Sequence, residues 1–587
     1  MVIEQDSPPQ QQELQFRRAD FDSLPEAMDY AAQSDNALHF NNARGVCEHT
    51  LTYAEVRENA LSLAKRLLGL GFKRGQHIGI FADMHPDFIS MFYACQYGGF
   101  VAVPLPVVSG LGGRRGYELQ LARIFETSDI QMVASMDSLD DTVQRVAKSI
   151  PDEHIMTVSE LMEHPESDET PVALGPDEIS HIQFSSGSTR FPLGVEISQE
   201  ALMANVKSIA IDALHLQPSD RVVSWLPFYH DMGLIGQCIT PATCQLTIDF
   251  LYPSAFSRRP LQWLKLMSDR GCTLSFSPDF GYEICSRLAK KQDLSDLDLS
   301  RWRVAGVGGD MVKPHALKQF AETFAPHGFK ESVFAPSYGL AEATLAFCFE
   351  SLGNGVQSDL VDKEILTGKG QAVPAGNKTS STRTFASCGM PLPGYHAEIR
   401  NKAGEVLPER HVGEILISGP SLMAGYYKQP EATRQCIGSD GWLNTGDMGY
   451  MVDGQLYITG RSKDLIIVKG RNIWPQDLEW HIEREIDGLQ GGHTAAFGHR
   501  AADGEETTVV LVQCRGNDPD KRQVLKKEVA AAVLRNAGIV CQVELIPPRS
   551  LPFTTSGKLI RSKAKKNWLE GGYQQEPVNT VSQHVAL

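Results

Sequence analysis

Nowhere does this chain carry an apolar run long enough to cross a membrane. The least polar long segment, Leu234 to Pro253, is interrupted by Gln237, Pro241, Gln245 and Asp249, so it reads as buried helix and strand. A signal-peptide core is missing as well, since the opening MVIEQDSPPQQQELQ is polar and acidic. Cysteine occurs 11 times but never in CxxC spacing, which suggests neither a zinc knuckle nor a disulfide framework. A cytoplasmic, reduced protein without a transmembrane segment is the expectation. Basic charge is also in short supply. The formal net charge of −16 argues against nucleic acid as a partner, because phosphate binding needs a basic surface. The local exception is Arg561, Lys563, Lys565 and Lys566, whose plainest reading is a solvated helix face. No internal repeat of fixed short period is present.

What is there suits a globular protein of more than one domain. At 587 residues, 42% hydrophobic and 21% charged, the chain is too long for a single compact core. Residues 1–15 and 571–587 are polar and expected to fray. The stretch Thr52 to Leu70 has apolar residues at helical spacing (Val56, Ala60, Leu63, Leu67) and is closed by Gly71. HIGIFA reads as a strand, Asp87 to Tyr97 as a helix, and FVAVPLPV from Phe100 as a buried strand. The alternation continues through QMVAS, a helix at Glu200 to Leu214, VVSWLP at Val222 and TLSFSP at Thr273. Strand and helix taking turns predicts α/β layers with mostly parallel sheets. Between Ala343 and Cys388 the pattern weakens into a polar, turn-rich stretch with no predicted element, of a length that is often functional. Beyond Gly460 the strands LIIVK, TAAFGH, TTVVLVQC and QVELIP surround a helix opened at Pro475 and another at Lys521 to Arg535. These residues predict a small separate α/β domain. The expected division is 1–460 for the large domain, 461–465 for a hinge and 466–587 for the small domain.

Chemistry is concentrated in a few strings. SSGSTRFPLG, Ser185 to Gly194, follows the apolar run His181 to Phe184. A strand running into Ser, Gly, Ser and Thr aims backbone N–H groups and hydroxyls at a phosphate, though a run like this is equally an ordinary loop. No Gly-Lys-Ser/Thr closes it, so it is not a Walker A loop. Downstream lie SYGLAEAT from Ser337, NTGDMGY from Asn444, GRSKDLIIVKGRNIWPQDLE from Gly460 and LPFTTSGKLIR from Leu551. In this order the five strings resemble the adenylate-forming superfamily of acyl and aryl ligases, luciferases and peptide-synthetase adenylation domains. The resemblance covers nearly the whole chain. It implies a luciferase-like fold with a mobile small domain, and ATP, AMP and Mg²⁺ as cofactors.

The same resemblance implies roles. Ser185, Ser186, Gly187, Ser188 and Thr189 would hold the β- and γ-phosphates, and Glu342 would help hold Mg²⁺, a hard cation suited to carboxylate and phosphate oxygens. Tyr338 would stack on adenine within the segment Ser337, Tyr338, Gly339, Leu340 and Ala341, Gly339 allowing close approach. Asp447 and Arg461 are the expected ribose pair, because a carboxylate can accept from both hydroxyls. Lys558 would reach the carboxylate and the α-phosphate. Lys463, with Asp464 adjacent, occupies the hinge position, and hinge rotation would bring Gly470 near a thiol's route. His230, beside Asp231, stands where the family's carboxylate gate does. For several of these the bland alternatives are ordinary ones: a core aromatic, a turn aspartate, a satisfied core histidine.

One departure is Leu193, which stands where many relatives carry lysine. Similar loops occur in the fatty acyl-AMP ligase branch. The VPLPV segment from Val103 with RRGYELQLARIF, and the long insert at about 350–386, point the same way. In that branch the insert packs on the small domain and disfavours productive use of CoA, and the acyl group passes to the phosphopantetheine arm of an acyl carrier protein. The expected substrate is a medium- or long-chain fatty acid, and the expected assembly a monomer or weak homodimer. Trp225, Phe228, Met232 and Phe280 are candidates for an acyl tunnel and equally good as ordinary core. The basic patch at Arg561 to Lys566 is a candidate dock for an acidic carrier. Rival readings are a fatty acyl-CoA synthetase, a luciferase-like oxygenase and a catalytically silent carrier-protein binder. Lys558→Ala is expected to lower adenylation by about 10²- to 10³-fold, the scale for losing one transition-state donor. A near-normal rate in pyrophosphate exchange would remove the assignment.

Overall fold

The computed structural model describes residues 14–107, 114–136, 141–185, 193–377, 379, 381–468, 471–489, 492–500, 506–554 and 558–573. The predicted alternation forms two large sheets. One has seven strands, with a parallel run made by Ile179–Phe184, Val101–Leu105, His77–Phe81, Ile130–Ser135 and Ile155–Thr157. The other has nine, with Phe334–Gly339, Val304–Val307, Leu274–Ser277, Arg221–Ser224, Thr247–Leu251 and Ala37–Asn41 parallel and antiparallel strands at both edges. Helices cover such sheets on both faces, so their strands read as unbroken apolar runs. His77–Phe81 and Val101–Leu105 are buried at every position.

Helix ends follow local chemistry. Thr52 and Glu55 form a reciprocal capping box at the start of Tyr53–Gly69. Pro86 opens Pro86–Gly98, and Gly99 at φ 76° ends it in the left-handed region. The expected helix at Glu200 to Leu214 is only partly α-helical. It runs as Gln199–Ser208 and then widens into a π-helical turn, Ile209–Ala213. A second π-helical stretch, Met232–Ile239, occupies the apolar segment read as helix. π-Turns of this kind recur beside functional sites, and Ile209, Leu214, Met232, Gly236 and Gln237 from these two segments line a cavity described below.

The insert departs from the expected unstructured stretch. Ser358–Asp362 pairs antiparallel with Thr382–Ala386, and a short helix, Lys363–Lys369, lies between them. Asp362 caps that helix through Oδ1 to the amides of Glu364 and Ile365, both at 2.9 Å, and Gly370 ends it at φ 66°. Short polar elements with strong caps give no periodic signal, which is why the stretch reads as loop. Val361, Leu366, Ala372 and Phe385 of the insert share a buried cluster with Tyr450, Tyr457 and Trp474.

Residues beyond Gly460 build a three-stranded sheet, Thr494–Arg500, Glu506–Gln513 and Cys541–Ile546, flanked by the helices Pro475–Glu485 and Pro519–Ala537. Leu478, Ile482 and Ile486 bury their face in this unit's own apolar cluster. The insert reaches it in two places. Lys363 Nζ donates to the carbonyl of Asn536, and Arg383 pairs with Asp477 at 2.8 Å, the two side chains 8% and 11% exposed. Arg383 also lies over the rings of Phe385 and Trp474, at 4.2 and 4.8 Å. Among the described residues no helix is long and apolar enough to cross a membrane.

Burial pushes the Asp477 carboxyl up and the Arg383 guanidinium down, each against the pull of its partner. Desolvation therefore outweighs attraction in this pair. Arg383→Ala, which leaves Asp477 as an uncompensated buried carboxylate, is expected to cost about 3–5 kcal/mol in urea denaturation. Arg383→Met combined with Asp477→Leu should recover most of that loss. A double variant as unstable as the single one would show that the charges themselves hold the insert.

Candidate active site

In an open parallel sheet, ligands gather beyond the carboxyl ends of the strands. Both large sheets aim such ends at one cavity of about 540 Å³. Ser185 follows the strand Ile179–Phe184, and its amide bonds to the carbonyl of Leu193 at 2.9 Å. Ser186, Gly187, Ser188 and Thr189 lie outside the described residues, as does Gly470. Leu193 lines the cavity, so an apolar side chain takes the place expected to hold a cation.

Ser337, Tyr338 and Gly339 form the end of the strand Phe334–Gly339 and also line the cavity. Gly339 is required by its own neighbours: a Cβ there would stand 1.7 Å from the carbonyl oxygen of Leu345, at the irregularity where two strands pair. The close approach thus involves the chain's own backbone. Ser337 Oγ donates to Val307 O at 3.2 Å, and Leu340 and Ala341 continue the wall.

Asp447 and Arg461 face one another across the antiparallel ribbon of Leu443–Val452 and Gln455–Arg461. Register alone makes them a pair. Asp447 Oδ1 is 3.2 Å from Arg461 Nε, and Oδ2 accepts from the Tyr338 hydroxyl at 2.7 Å. The proposed adenine platform and ribose carboxylate are therefore bonded to each other before any ligand arrives. Burial, followed by the adjacent Asp447, raises the Tyr338 phenol far above its ordinary range, so it remains a donor. Asp447 likewise raises Arg461, which keeps its charge.

Glu342 sits in a 3-10 turn, Ala341–Ala343, held where the Met423 amide bonds to its carbonyl at 2.9 Å. One carboxylate oxygen accepts from the Tyr426 hydroxyl at 2.8 Å. Burial pushes the Glu342 carboxyl up against the pull of that bond, and a cation would relieve this penalty. Among the described residues no cluster of three or more His, Cys, Asp or Glu could hold a metal ion. A single carboxylate suits Mg²⁺, which keeps waters and takes phosphate oxygens in place of a full protein cage.

His230 and Asp231 follow the strand Arg221–Ser224. His230 Nδ1 is 2.7 Å from Asp231 Oδ1, which also accepts the Met232 amide at 2.7 Å. Burial alone would raise the Asp231 carboxyl, but His230 beside it and Lys558 nearby hold it below the usual range. Lys558 lines this cavity together with Lys463. Its loop closes on itself, with Thr554 N to Lys558 O at 2.7 Å and Lys558 N to Thr554 Oγ1 at 2.9 Å.

One reading needs correction and one open alternative is decided. Arg561 is no part of a solvated basic patch, because its side chain is 18% exposed and bound to Glu479 and Asp464. Phe228 is fully buried, stacked on Phe88 at 5.2 Å, and lines neither cavity described here. Sequence reasoning missed Tyr426, which sits on a two-residue strand too short to leave a pattern, and Glu414, which accepts from Asn444 at 2.9 Å.

A second cavity of about 1590 Å³ shares His230, Met232, Tyr338, Asp447, Arg461 and Lys558 with the first. Its walls add Trp225, stacked face to face on Phe256 at 3.7 Å, the half-exposed Phe280, and Asp279.

A model of the AMP-binding enzyme family matches residues 30–427. A putative acyl-CoA synthetase of Caulobacter vibrioides is 43% identical over 95% of this chain and 97% of that protein. The medium-chain-fatty-acid–[acyl-carrier-protein] ligase JamA of Moorena producens is 30% identical over 90% of this chain and 91% of its own. A solved structure from a study of fatty acyl-adenylate ligases of E. coli and L. pneumophila superposes with a TM-score of 0.89 at 41% identity, over 95% of this chain and 99% of that one.

Asp279 has a consequence for stability. Burial pushes its carboxyl up to about 7, Lys313 opposing and Asp310 adding, while the Lys313 amide donates to it at 3.0 Å. Because the folded value lies above the unfolded one near 4, its contribution is complete below pH 4 and is lost as pH rises through 7. Asp279→Asn is expected to flatten this part of the stability–pH curve and to be at least as stable as the parent at pH 8. An unchanged slope in urea melts between pH 4 and 8 would exclude the carboxyl as its source.

Proposed function

This chain belongs to the AMP-binding enzyme family, the acid ligases that form acyl-AMP, and on that premise we propose that it is a fatty acyl-AMP ligase serving an acyl carrier protein. In the first step a fatty carboxylate oxygen bonds to the α-phosphorus of ATP, the bridging P–O bond breaks and pyrophosphate leaves. In the second a carrier thiol attacks the acyl carbonyl and AMP leaves. Residues 466–587 act as the lid and 461–465 as its hinge.

The observation that carries the reading is the convergence of Tyr338, Glu342, Asp447, Arg461 and Lys558 on one cavity. Two anions must meet there, so fixed donors and positive charge are needed where charge develops. Lys558 lies between carboxylate and α-phosphate, with Asp231 orienting its ammonium. His230, its ring fixed by Asp231, flanks the carboxylate's path. Asp447 takes the ribose hydroxyls and Tyr338 the adenine. Glu342 would hold Mg²⁺, which when bound offsets phosphate charge, and Ser185 opens the loop on which the phosphates rest. The apolar lining of Ile209, Leu214, Met232, Phe276 and Phe349 suits an acyl chain. Each buried methylene there is worth roughly 0.8 kcal/mol, so chain-length preference is graded.

The acceptor is read from the insert, whose Arg383 ties to Asp477 and whose Lys363 ties to the Asn536 carbonyl. These contacts oppose rotation of the lid, and the larger cavity offers a thiol arm a separate approach to the same centre. JamA, by its name an acyl-carrier-protein ligase, supports this acceptor. The Caulobacter relative's name supports the second reading, a fatty acyl-CoA synthetase.

The two readings part in a chase. The enzyme is incubated with ATP, Mg²⁺ and radiolabelled dodecanoate, then given CoA or a phosphopantetheinylated carrier protein. Acyl-AMP is expected to persist with CoA while label moves to the carrier. Rapid clearance by CoA would favour the synthetase, and absence of any adenylate across a range of acids would defeat the fatty-acid reading.

A further inference from the structure

Arg561 stands three residues beyond Lys558, at the start of the helix Arg561–Leu569. Its guanidinium forks onto Glu479, Nε to Oε1 at 2.8 Å and Nη2 to Oε2 at 2.6 Å. The remaining arm, Nη1, reaches Asp464 Oδ2 at 3.1 Å. The three side chains are 18%, 6% and 12% exposed, for Arg561, Glu479 and Asp464. Glu479 Oε1 also accepts the amide of Ala496 at 2.9 Å, which anchors the fork in a helix and in the three-stranded sheet together. A planar bidentate pair fixes direction as well as distance, which a lysine at the same place could not do.

Asp464 closes the 3-10 turn Ser462–Asp464, directly after Arg461 of the ribbon pair. One guanidinium therefore joins the exit of the hinge, the helix Pro475–Glu485 and the segment that carries Lys558. The Lys558 loop is otherwise closed on itself by the Thr554 bonds, by the Phe553–Leu559 bridge and by Ile560 N to Pro552 O at 2.9 Å. Those bonds shape the loop. They do not aim it at Arg461 and Asp447.

We propose that Arg561 is a positioning residue for Lys558: through Asp464 it converts the backbone angle at the hinge into the placement of the lysine ammonium in the cavity. The inference rests on the reading of Lys558 as the adenylating lysine. It assigns a buried structural cation to the chemistry of the first step, acting through another residue and touching no substrate.

A residue that acts only through Lys558 loses its effect when Lys558 is gone. Pyrophosphate exchange with dodecanoate is measured on the full chain in the parent and Lys558→Ala backgrounds. Arg561→Gln is expected to lower the rate about 10- to 100-fold in the parent, the scale of a displacement of about 1 Å, and less than about 2-fold with Lys558→Ala. Arg561→Lys should lie between, since it keeps the charge without the fork. Asp464→Asn leaves the Glu479 fork in place, so it carries the test if Arg561→Gln does not fold; a loss of about 3- to 10-fold confined to the parent background is expected. Equal losses in both backgrounds would overturn the proposal in favour of a general structural role, and so would near-parent rates for both variants. A near-normal rate in Lys558→Ala alone would instead defeat the catalytic assignment on which the proposal stands.

Discussion

Everything in the site hangs on the register of one ribbon. Because Leu443–Val452 and Gln455–Arg461 pair so that Asp447 faces Arg461, the carboxylate is held by a cation that nothing in the cavity needs to supply. Its second oxygen is then available to Tyr338, which belongs to the nine-stranded sheet. A one-residue slip would turn both side chains to the opposite face and dissolve the link. The irregularity between Met448 and Gly449 lies just beyond the pair, and a Cβ at Gly449 would stand 2.4 Å from the Tyr457 carbonyl oxygen. The same ribbon runs directly into Ser462–Asp464. The Asp447–Arg461 pair and the proposed hinge are thus consecutive in the chain, strand then 3-10 turn, so a change at either is felt at the other without a long path between them.

The electrostatics of the cavity follow from which charges have partners. Asp447 and Arg461 hold each other. Asp231 is buried but lies beside His230 and near Lys558, which keeps it ionised. Glu342 is the exception, since its burial outweighs the pull of the Tyr426 hydroxyl, a backbone amide and Arg461 together. A buried carboxylate whose desolvation its neighbours only partly offset is a natural place for an incoming cation. Phosphates arriving at the Ser185 end of the cavity would bring one with them. Lys558 lines the same cavity from the segment that precedes the helix Arg561–Leu569.

Much of this was legible in the sequence, for a physical reason. Residues that line the cavity cluster where strands end, so Ser337 to Glu342, Asn444 to Asp447 and Gly460 to Asp464 are contiguous strings. The parallel strands are legible because burial on both faces leaves unbroken apolar runs. What escaped is held by distant contacts. Tyr426 meets Glu342 across 84 residues, and Arg561 meets Glu479 across 82. Arg561 sits among lysines, and composition alone cannot separate a buried guanidinium from solvated neighbours. The π-helical turns and the insert's capped helix are tertiary outcomes, in which packing overrides a weak local pattern.

The insert shows how specificity and stability part company. A pair such as Arg383 and Asp477, in which burial opposes ionisation of both members, is a poor way to gain folding free energy. It is a good way to fix an arrangement, because leaving either charge alone is costly, and Lys363, the other cation acting on Asp477, belongs to the same insert. Tyr457 stacks on Tyr450 at 5.0 Å within the ribbon that carries Asp447, and both belong to the apolar cluster shared by the insert and Trp474. Rotation of the lid would have to open that cluster and separate the ion pair at once. The insert therefore adds a cost of separation to any motion of the helix Pro475–Glu485 away from the ribbon, and leaves the bonds among Asp447, Arg461 and Tyr338 untouched.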